Sequence, residues 1–241
     1  MAVYAFSDLH GNYDLWNKIC KYIQPHDTLF CLGDIIDRGL HGYKICLEMM
    51  QHSHMHFIRG NHEMLAIEAL PYLIQNKTKM NCIDNWFYNG GDRTWDEINI
   101  IHHSQTQAEF ENSINQLLIW FNNMVNEITY INTNNQKIIL SHTGFTPGQL
   151  AETGWDRNHF WDRWPDDYNN IFIIHGHTPV QYLQKALEEN RFNSRMRINN
   201  RITPSVIKYA NGHKFDIDLG TIVSKRIALI NLDTFEVIYI E

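Results

Sequence analysis

Short apolar runs, each followed by a polar loop, punctuate the first seventy positions of the chain. Residues 2–6, 28–32 and 55–58 each read as a buried strand. Between the first two, Leu15, Ile19 and Ile23 recur at i, i+4 and i+8. That spacing predicts a helix over 13–23, N-capped by Asn12 and stopped by Pro25. Tyr43, Leu47 and Met50 predict a second helix ending near Gln51, and a third runs from Asn61-His62 to Pro71. Strand, helix, strand, helix, strand at this spacing predicts a parallel sheet with right-handed crossovers, hence an α/β fold. The three loops after the strands then leave the same edge of the sheet.

Residues 72–126 break that rhythm. Asn89-Gly90-Gly91-Asp92 is a strong turn, flanked by Trp86 and Trp95, and Phe110, Ile114, Leu117, Phe121 and Val125 outline a helix over 108–126. The stretch predicts a helical insertion over the sheet edge, part of it lining the site. Its composition is not that of a linker, so a single domain over 1–241 is expected. The second half reads as β-rich. Residues 128–131 and 137–140 form a hairpin, and strands follow at 171–174, 215–219, 225–232 and 235–240. Residues 191–211, with Arg191, Arg195, Arg197 and Arg201, lack a pattern and predict a mobile surface excursion.

Composition changes the picture in three ways. With 241 residues, 44% of them hydrophobic, the chain can bury a large core. A formal charge of −7 removes the basic footprint expected for nucleic acid or an anionic membrane. An acidic chain that binds phosphate needs metals or a few placed arginines to do so. Four cysteines without a CxxC pair read as reduced and structural. No basic leader and no apolar run approaching the ~20 residues of a membrane helix is present, so a soluble, cytoplasmic protein is expected.

Candidate chemistry collects in five loops, each leaving an apolar strand. They carry Asp8 and His10; Asp34, Asp37 and Arg38; Asn61 and His62; His142; and His177. One such loop is an ordinary polar turn, and fourteen histidines weaken any argument from a single one. Five at successive strand ends are gathered by the fold into one place. Carboxylates, imidazoles and an amide oxygen form a donor set suited to Mn²⁺, Fe or Zn²⁺ rather than Ca²⁺. A shared carboxylate can bridge two cations about 3.5–4 Å apart, the arrangement that serves in-line phosphoryl displacement.

Asp8-Leu9-His10-Gly11, Gly33-Asp34-Ile35-Ile36-Asp37-Arg38-Gly39 and Arg59-Gly60-Asn61-His62-Glu63 resemble the motif blocks of the PPP-type, calcineurin-like metallophosphoesterases. Ser141-His142-Thr143-Gly144 and Gly176-His177-Thr178-Pro179 resemble the two later histidine blocks, and Ile217-Asp218-Leu219-Gly220 the family's C-terminal end. Asn89-Gly90-Gly91 after Trp86 is similar to the bacterial and bacteriophage-lambda serine/threonine protein phosphatase branch. Ser7 stands where many relatives have Gly, and Thr143 where Gly or Ala is usual.

The resemblance implies a four-layer β-sandwich flanked by helices, with a dimetal site at the strand ends. Asp8, His10 and Asp34 would hold the first metal. Asp34 would bridge to a second, held also by Asn61, His142 and His177; the Gly-His-Thr-Pro context selects His177 over His175. His62, oriented by Asp37, would protonate the leaving alkoxide. Arg38 would hold phosphate together with Arg163, with Arg157 the poorer alternative. The expected activity is hydrolysis of phosphoserine and phosphothreonine monoesters, with phosphotyrosine as a further substrate. The nucleophile would be hydroxide bridging two divalent metals, Mn first among them. The expected partner is a phosphoprotein or small phosphorylated substrate, without nucleic acid or membrane. A symmetrical dinucleoside tetraphosphate hydrolase is the alternative, disfavoured by Glu63 where such relatives tend to carry Asp. A non-catalytic metal-binding scaffold is a third, disfavoured because every ligand and His62 are present.

Overall fold

Alternation of side chains along the strands separates two cores. In β1 (Val3–Phe6) Val3 and Ala5 face one core while Phe6 faces the other. In β2 (Thr28–Cys31) Leu29 and Cys31 side with Phe6, while Phe30 sides with Ala5. β9 (Ile227–Asn231) repeats the division with Ile227 and Leu229 against Ala228 and Ile230. A period of two with both faces apolar requires cover on both sides. In the computed structural model, which describes all residues except 78–79, 147, 149–163 and 190–202, each face has it.

The first sheet has the order β10-β9-β1-β2-β3, with β3 at Met55–Phe57 and β10 at Val237–Ile240. β1, β2 and β3 are parallel, while β9 runs antiparallel to β1 and β10 antiparallel to β9. The second sheet has the order β4-β5-β6-β8-β7. Its strands are β4 (Glu127–Ile131), β5 (Lys137–Ser141), β6 (Ile171–His175), β7 (Ile207–Tyr209) and β8 (Lys214–Asp216). β5, β6 and β8 are parallel, between antiparallel edges β4 and β7. Ile138, Leu140, Ile174 and Phe215 of the second sheet meet Ala5, Phe30 and Ile230 of the first, which makes a β-sandwich.

Helices cover the outer face of the first sheet. α1 (Tyr13–Tyr22), α2 (Gly42–Met49) and α3 (Asn61–Leu73) share one apolar cluster with α4 (Asn81–Tyr88), α5 (Gly91–Ile101) and α6 (Gln107–Asn123). Trp16, Tyr43, Leu70, Trp86, Ile98 and Phe121 are their main contributions to it. The outer face of the second sheet packs Ile139 and Ile173 under Phe145 and Trp164. α7 (Val180–Glu189) lays Leu183 against Tyr209 beside them. The expected four layers, helices, sheet, sheet and cover, are therefore present.

Asn12 caps α1 as expected, its Oδ1 accepting the Leu15 N–H at 3.3 Å. Other boundaries differ from expectation. α3 passes Pro71 and ends at Leu73, because proline in a last turn removes a single hydrogen bond. Gly90, at φ 99, splits the insertion into α4 and α5 ahead of α6. The expected strand over 215–219 ends at Asp216: Asp218 N–H bonds Asp216 Oδ1 at 3.1 Å and Gly220 N–H bonds Asp218 Oδ1 at 2.8 Å, so side chains replace the ladder. Lys225 caps the one-turn helix α8 (Thr221–Ser224) at φ 54 and delays β9 to Ile227. Part of the expected excursion over 191–211 is edge strand β7 and a 3-10 turn, Ala210–Gly212; residues 190–202 lie outside the described residues. α7 was not expected at all.

The sandwich core makes a direct prediction. Leu140 is fully buried between the sheets, so Leu140→Ala should cost about 2–5 kcal/mol in urea unfolding followed by tryptophan fluorescence. A loss below about 1 kcal/mol would contradict the packing described.

Candidate metal centre

Six parallel strands, three from each sheet, end at one place. β1 leads to Asp8 and His10, β2 to Asp34, Asp37 and Arg38, and β3 to Asn61 and His62. From the other sheet β5 leads to His142, β6 to His177 and β8 to Asp218. Every one of these side chains except Arg38 is buried. Twelve described non-glycine residues have positive φ, and half of them sit here: Asp8, His10, Asp34, Asp37, Arg38 and His177. A left-handed conformation costs a non-glycine residue about 1–3 kcal/mol, so the surroundings hold these residues against their own preference.

The surroundings do so with hydrogen bonds between loops. The Glu63 carboxylate accepts N–H from Asp34 at 2.9 Å, Ile35 at 2.8 Å and Gly60 at 2.9 Å. Asp34 Oδ1 accepts the His62 N–H at 3.0 Å, in the first turn of α3, where the helix dipole favours a carboxylate. Asp8 Oδ2 accepts from Ser7 Oγ and from the His177 N–H at 2.9 Å, while Thr221 Oγ1 donates to the Asp8 carbonyl at 2.6 Å. Gly33, at φ 93, brings β2's loop so near β3's that a Cβ there would lie 2.5 Å from Gly60 N. A Cβ at Gly176 would strike Ser7 Oγ and Asp8 Oδ2.

Acceptors converge at the centre. His142 Nδ1–H donates to the Leu32 carbonyl at 2.7 Å, which leaves the Nε2 lone pair facing Asn61 Oδ1 at 3.0 Å and Asp34 Oδ1 at 3.3 Å. His177 Nδ1 also faces Asn61 Oδ1, at 2.8 Å. His10 Nδ1–H donates to the Ile36 carbonyl at 3.0 Å and turns Nε2 inward. Asp8 Oδ1 is buried and has no hydrogen-bond partner among the described residues. Lone pairs in such contact call for a cation or a proton between them, and these residues fit a pair of metals. Asp34 takes part in two clusters of ligand atoms, one with His10 and His62 and one with His142 and His177. Asp8 Oδ1 stands 4.0 Å from His10 Nε2 and flanks the first cluster.

Electrostatics follows from that crowding. Burial, with the Asp34 charge alongside, pushes Asp8 up to about 6. Asp34 is buried too, yet the His142, His62 and His10 imidazoles hold it well below the usual carboxylate range. Burial opposes a charge on His142, but the Asp34 carboxylate beside it carries the imidazole up to about 10. Burial, Arg38 and His62 together keep His10 well below its ordinary value, and so neutral.

His62 stands apart from the other imidazoles in its partners. Its Nδ1–H donates to Asp37 Oδ2 at 2.7 Å, and its Nε2 lies 2.9 Å from Arg38 Nη2 and 3.8 Å from Asp34 Oδ2. Burial disfavours its charge, but Asp34 and Asp37 raise it above the ordinary imidazole value. Arg38 Nη1 also donates to His10 Nε2 at 2.8 Å. The same lone pair serves a metal only when Arg38 leaves it.

The structure thus brings together Asp8, His10, Asp34, Asp37, Arg38, Asn61, His62, His142 and His177, all singled out in the sequence. Arg163 and Arg157 lie outside the described residues. Sequence reasoning passed over the residues that hold the others: Glu63 as the receiver of three N–H groups, Trp86 and Thr94 on Asp37, and Thr221 and Asp218 beside Asp8. Spacing gives little hint of these, because most act on segments remote in sequence; only the Glu63 bond to the Gly60 N–H is local, the N3-to-N-cap half of a capping box.

Comparison with known proteins agrees with the geometry. Serine/threonine-protein phosphatase 1 of Salmonella typhimurium is 31% identical over 111 residues, 45% of this chain and 47% of that protein. Serine/threonine-protein phosphatase 2 of Escherichia coli is 26% identical over 149 residues, 61% of this chain and 59% of that protein. The chain therefore matches only about half the length of these relatives. A crystal structure of a protein provisionally assigned as a diadenosine tetraphosphatase aligns with TM-score 0.57 at 10% identity, over 99% of this chain and 92% of that one. The family model described as calcineurin-like phosphoesterase matches residues 1–213, and the chain belongs to that family of metal-dependent phosphoesterases.

Proposed function

We propose that this phosphatase hydrolyses phosphoserine and phosphothreonine monoesters in proteins, with two divalent metals bound at the strand ends. The observation that carries the reading is Asp34 shared between two groups of ligand atoms, one of which includes His62, whose Nε2 lies 2.9 Å from the Arg38 guanidinium. Likeness to two bacterial serine/threonine-protein phosphatases supports the substrate class.

Asp8, His10 and Asp34 would hold one metal, and Asp34, Asn61, His142 and His177 the other. The mixed carboxylate, imidazole and amide donor set suits Mn²⁺, Fe or Zn²⁺, and Mn²⁺ is the proposed pair. Bound divalent metals polarise phosphoryl oxygens and lower the pKa of water. Arg38 forms paired hydrogen bonds to phosphate oxygens and neutralises charge that develops on them. Arg163 is the proposed second arginine. As a hydroxide oxygen bonds to phosphorus and the ester P–O bond breaks, the departing alkoxide takes the Nε2 proton of His62, and the proton shed when water ionised to that hydroxide restores it. Asp37, accepting from Nδ1–H, stabilises the charged imidazole before that transfer. Symmetrical cleavage of a dinucleoside tetraphosphate is the second reading, favoured by the fold shared with the provisional diadenosine tetraphosphatase. It uses the same residues on a phosphoanhydride.

A parallel Mn²⁺ assay on a phosphoserine peptide, a phosphotyrosine peptide and diadenosine tetraphosphate tests the substrate class. Fastest turnover of the phosphoserine peptide is expected, and faster cleavage of the tetraphosphate would overturn it. His62→Asn should lower kcat on alkyl phosphates by roughly 10²–10³-fold and on aryl phosphates much less. Equal losses on both would remove the acid role. Asp34→Asn should weaken both metals at once, and two metals at full occupancy by elemental analysis would sink the shared-ligand role. Metal entry must displace the proton held on His142, so affinity should fall on acidification, by about tenfold per pH unit for one proton. Identical Kd values at pH 6.5 and 7.5 would remove His142 from the ligand set.

A further inference from the structure

One hydroxyl from the helical insertion holds both ends of Asp37. Thr94 is buried in the first turns of α5. Its Oγ1–H donates to Asp37 Oδ1 at 2.8 Å, and the same oxygen accepts the Asp37 backbone N–H at 2.9 Å. Asp37 carries a left-handed backbone, φ 71, so its carboxylate would not hold this direction by local preference. On the other oxygen, Oδ2, Trp86 Nε1–H donates at 2.9 Å beside the His62 Nδ1–H at 2.7 Å. Three donors from three elements fix the plane of the carboxylate, and that plane fixes the His62 ring.

The hydroxyl's single proton gives the arrangement its sense. It is committed to Oδ1, so the oxygen can only accept from the Asp37 N–H. Asp37, with donors on both oxygens, receives the Nδ1–H of His62 and leaves Nε2 facing Arg38. The turn between Trp86 and Thr94 also reaches Arg38, whose N–H bonds the Gly90 carbonyl at 3.1 Å. A stretch from one insertion therefore controls the two groups proposed to face the substrate.

We propose that Thr94 is a positioning residue for His62: its hydroxyl sets the Asp37 carboxylate and, through it, the orientation and Nδ1–H form of the imidazole. The kinetic part of this inference rests on the phosphomonoesterase reading, and the geometric part does not. Thr94→Val keeps the shape and removes the hydroxyl, while Thr94→Ser keeps the hydroxyl and removes the methyl.

The test compares both variants with wild type on an alkyl and an aryl phosphate, with metal content and Tm measured alongside. The imidazole nitrogens of Zn²⁺-loaded protein are followed by long-range ¹H–¹⁵N NMR, with the His62 signal assigned by its loss in His62→Asn. Thr94→Val should lower kcat on the alkyl ester about 10–100-fold, and much less on the aryl ester, with KM and metal content near wild type. Its His62 pattern should lose the pure Nδ1–H form, and Thr94→Ser should restore both readouts. Equal losses on the two esters, an unchanged His62 pattern in Thr94→Val, or failure of Thr94→Ser to restore it would overturn the inference. Absence of turnover in wild type together with the expected NMR change would instead sink the phosphomonoesterase reading and leave the positioning of His62 by Thr94 supported.

Discussion

Three backbone N–H groups from two loops converge on one carboxylate, Glu63, and the centre is built outward from that contact. A buried donor left without its acceptor costs about 1–3 kcal/mol. Asp34, Ile35 and Gly60 therefore keep their positions only while Glu63 is there to receive them. Asp34 owes its left-handed backbone to this anchor, and Asp34 in turn takes the first-turn N–H of α3 and stands in both ligand clusters. Shape and charge are coupled through a single side chain that touches no substrate.

The centre is also held at a distance from electrostatic comfort. Carboxylates at positions 8, 34 and 218 and imidazoles at 10, 62, 142 and 177 share a volume with almost no water contact. Their mutual fields divide the titrations, with Asp34 ionised, His10 neutral and His142 holding a proton. Arg38 supplies positive charge to two of the imidazoles. Were a divalent metal held here, His10 and His142 would turn their Nε2 lone pairs to it, and Arg38 would be free for an anionic ligand. The same set of contacts thus explains why the residues tolerate burial and why they select cations.

Much of this was legible in the chain. The first three strands are short, apolar and bounded by strong turns, so the sequence alone places their loops at one edge. His142 and His177 were readable because each follows an apolar run and sits in a Gly-containing loop. Where side chains replace ladder bonds, as at Asp216 and Asp218, hydrophobic pattern overextends a strand. β7 escaped notice because an edge strand with one solvent face carries little apolar signal. Thr94 escaped for another reason: a hydroxyl that orients a carboxylate 57 residues away has no local pattern to betray it, and the motif that displayed Glu63 did not display its hold on Asp34 and Ile35.

β1 lies between β2 and β9, and Thr221 grips the carbonyl of Asp8. All six proposed ligands precede residue 178, yet the loop that carries the first two is completed by residues from 221 to 231. Synthesis on the ribosome is vectorial, and N-terminal segments emerge seconds to tens of seconds before distal ones. The chain therefore displays its ligands well before it can pre-organise them. Nascent protein passes through a period in which its histidines and carboxylates are exposed to whatever cation the compartment offers. The β1 loop can therefore take its final shape only after β9 has paired with β1 and Thr221 has reached the Asp8 carbonyl.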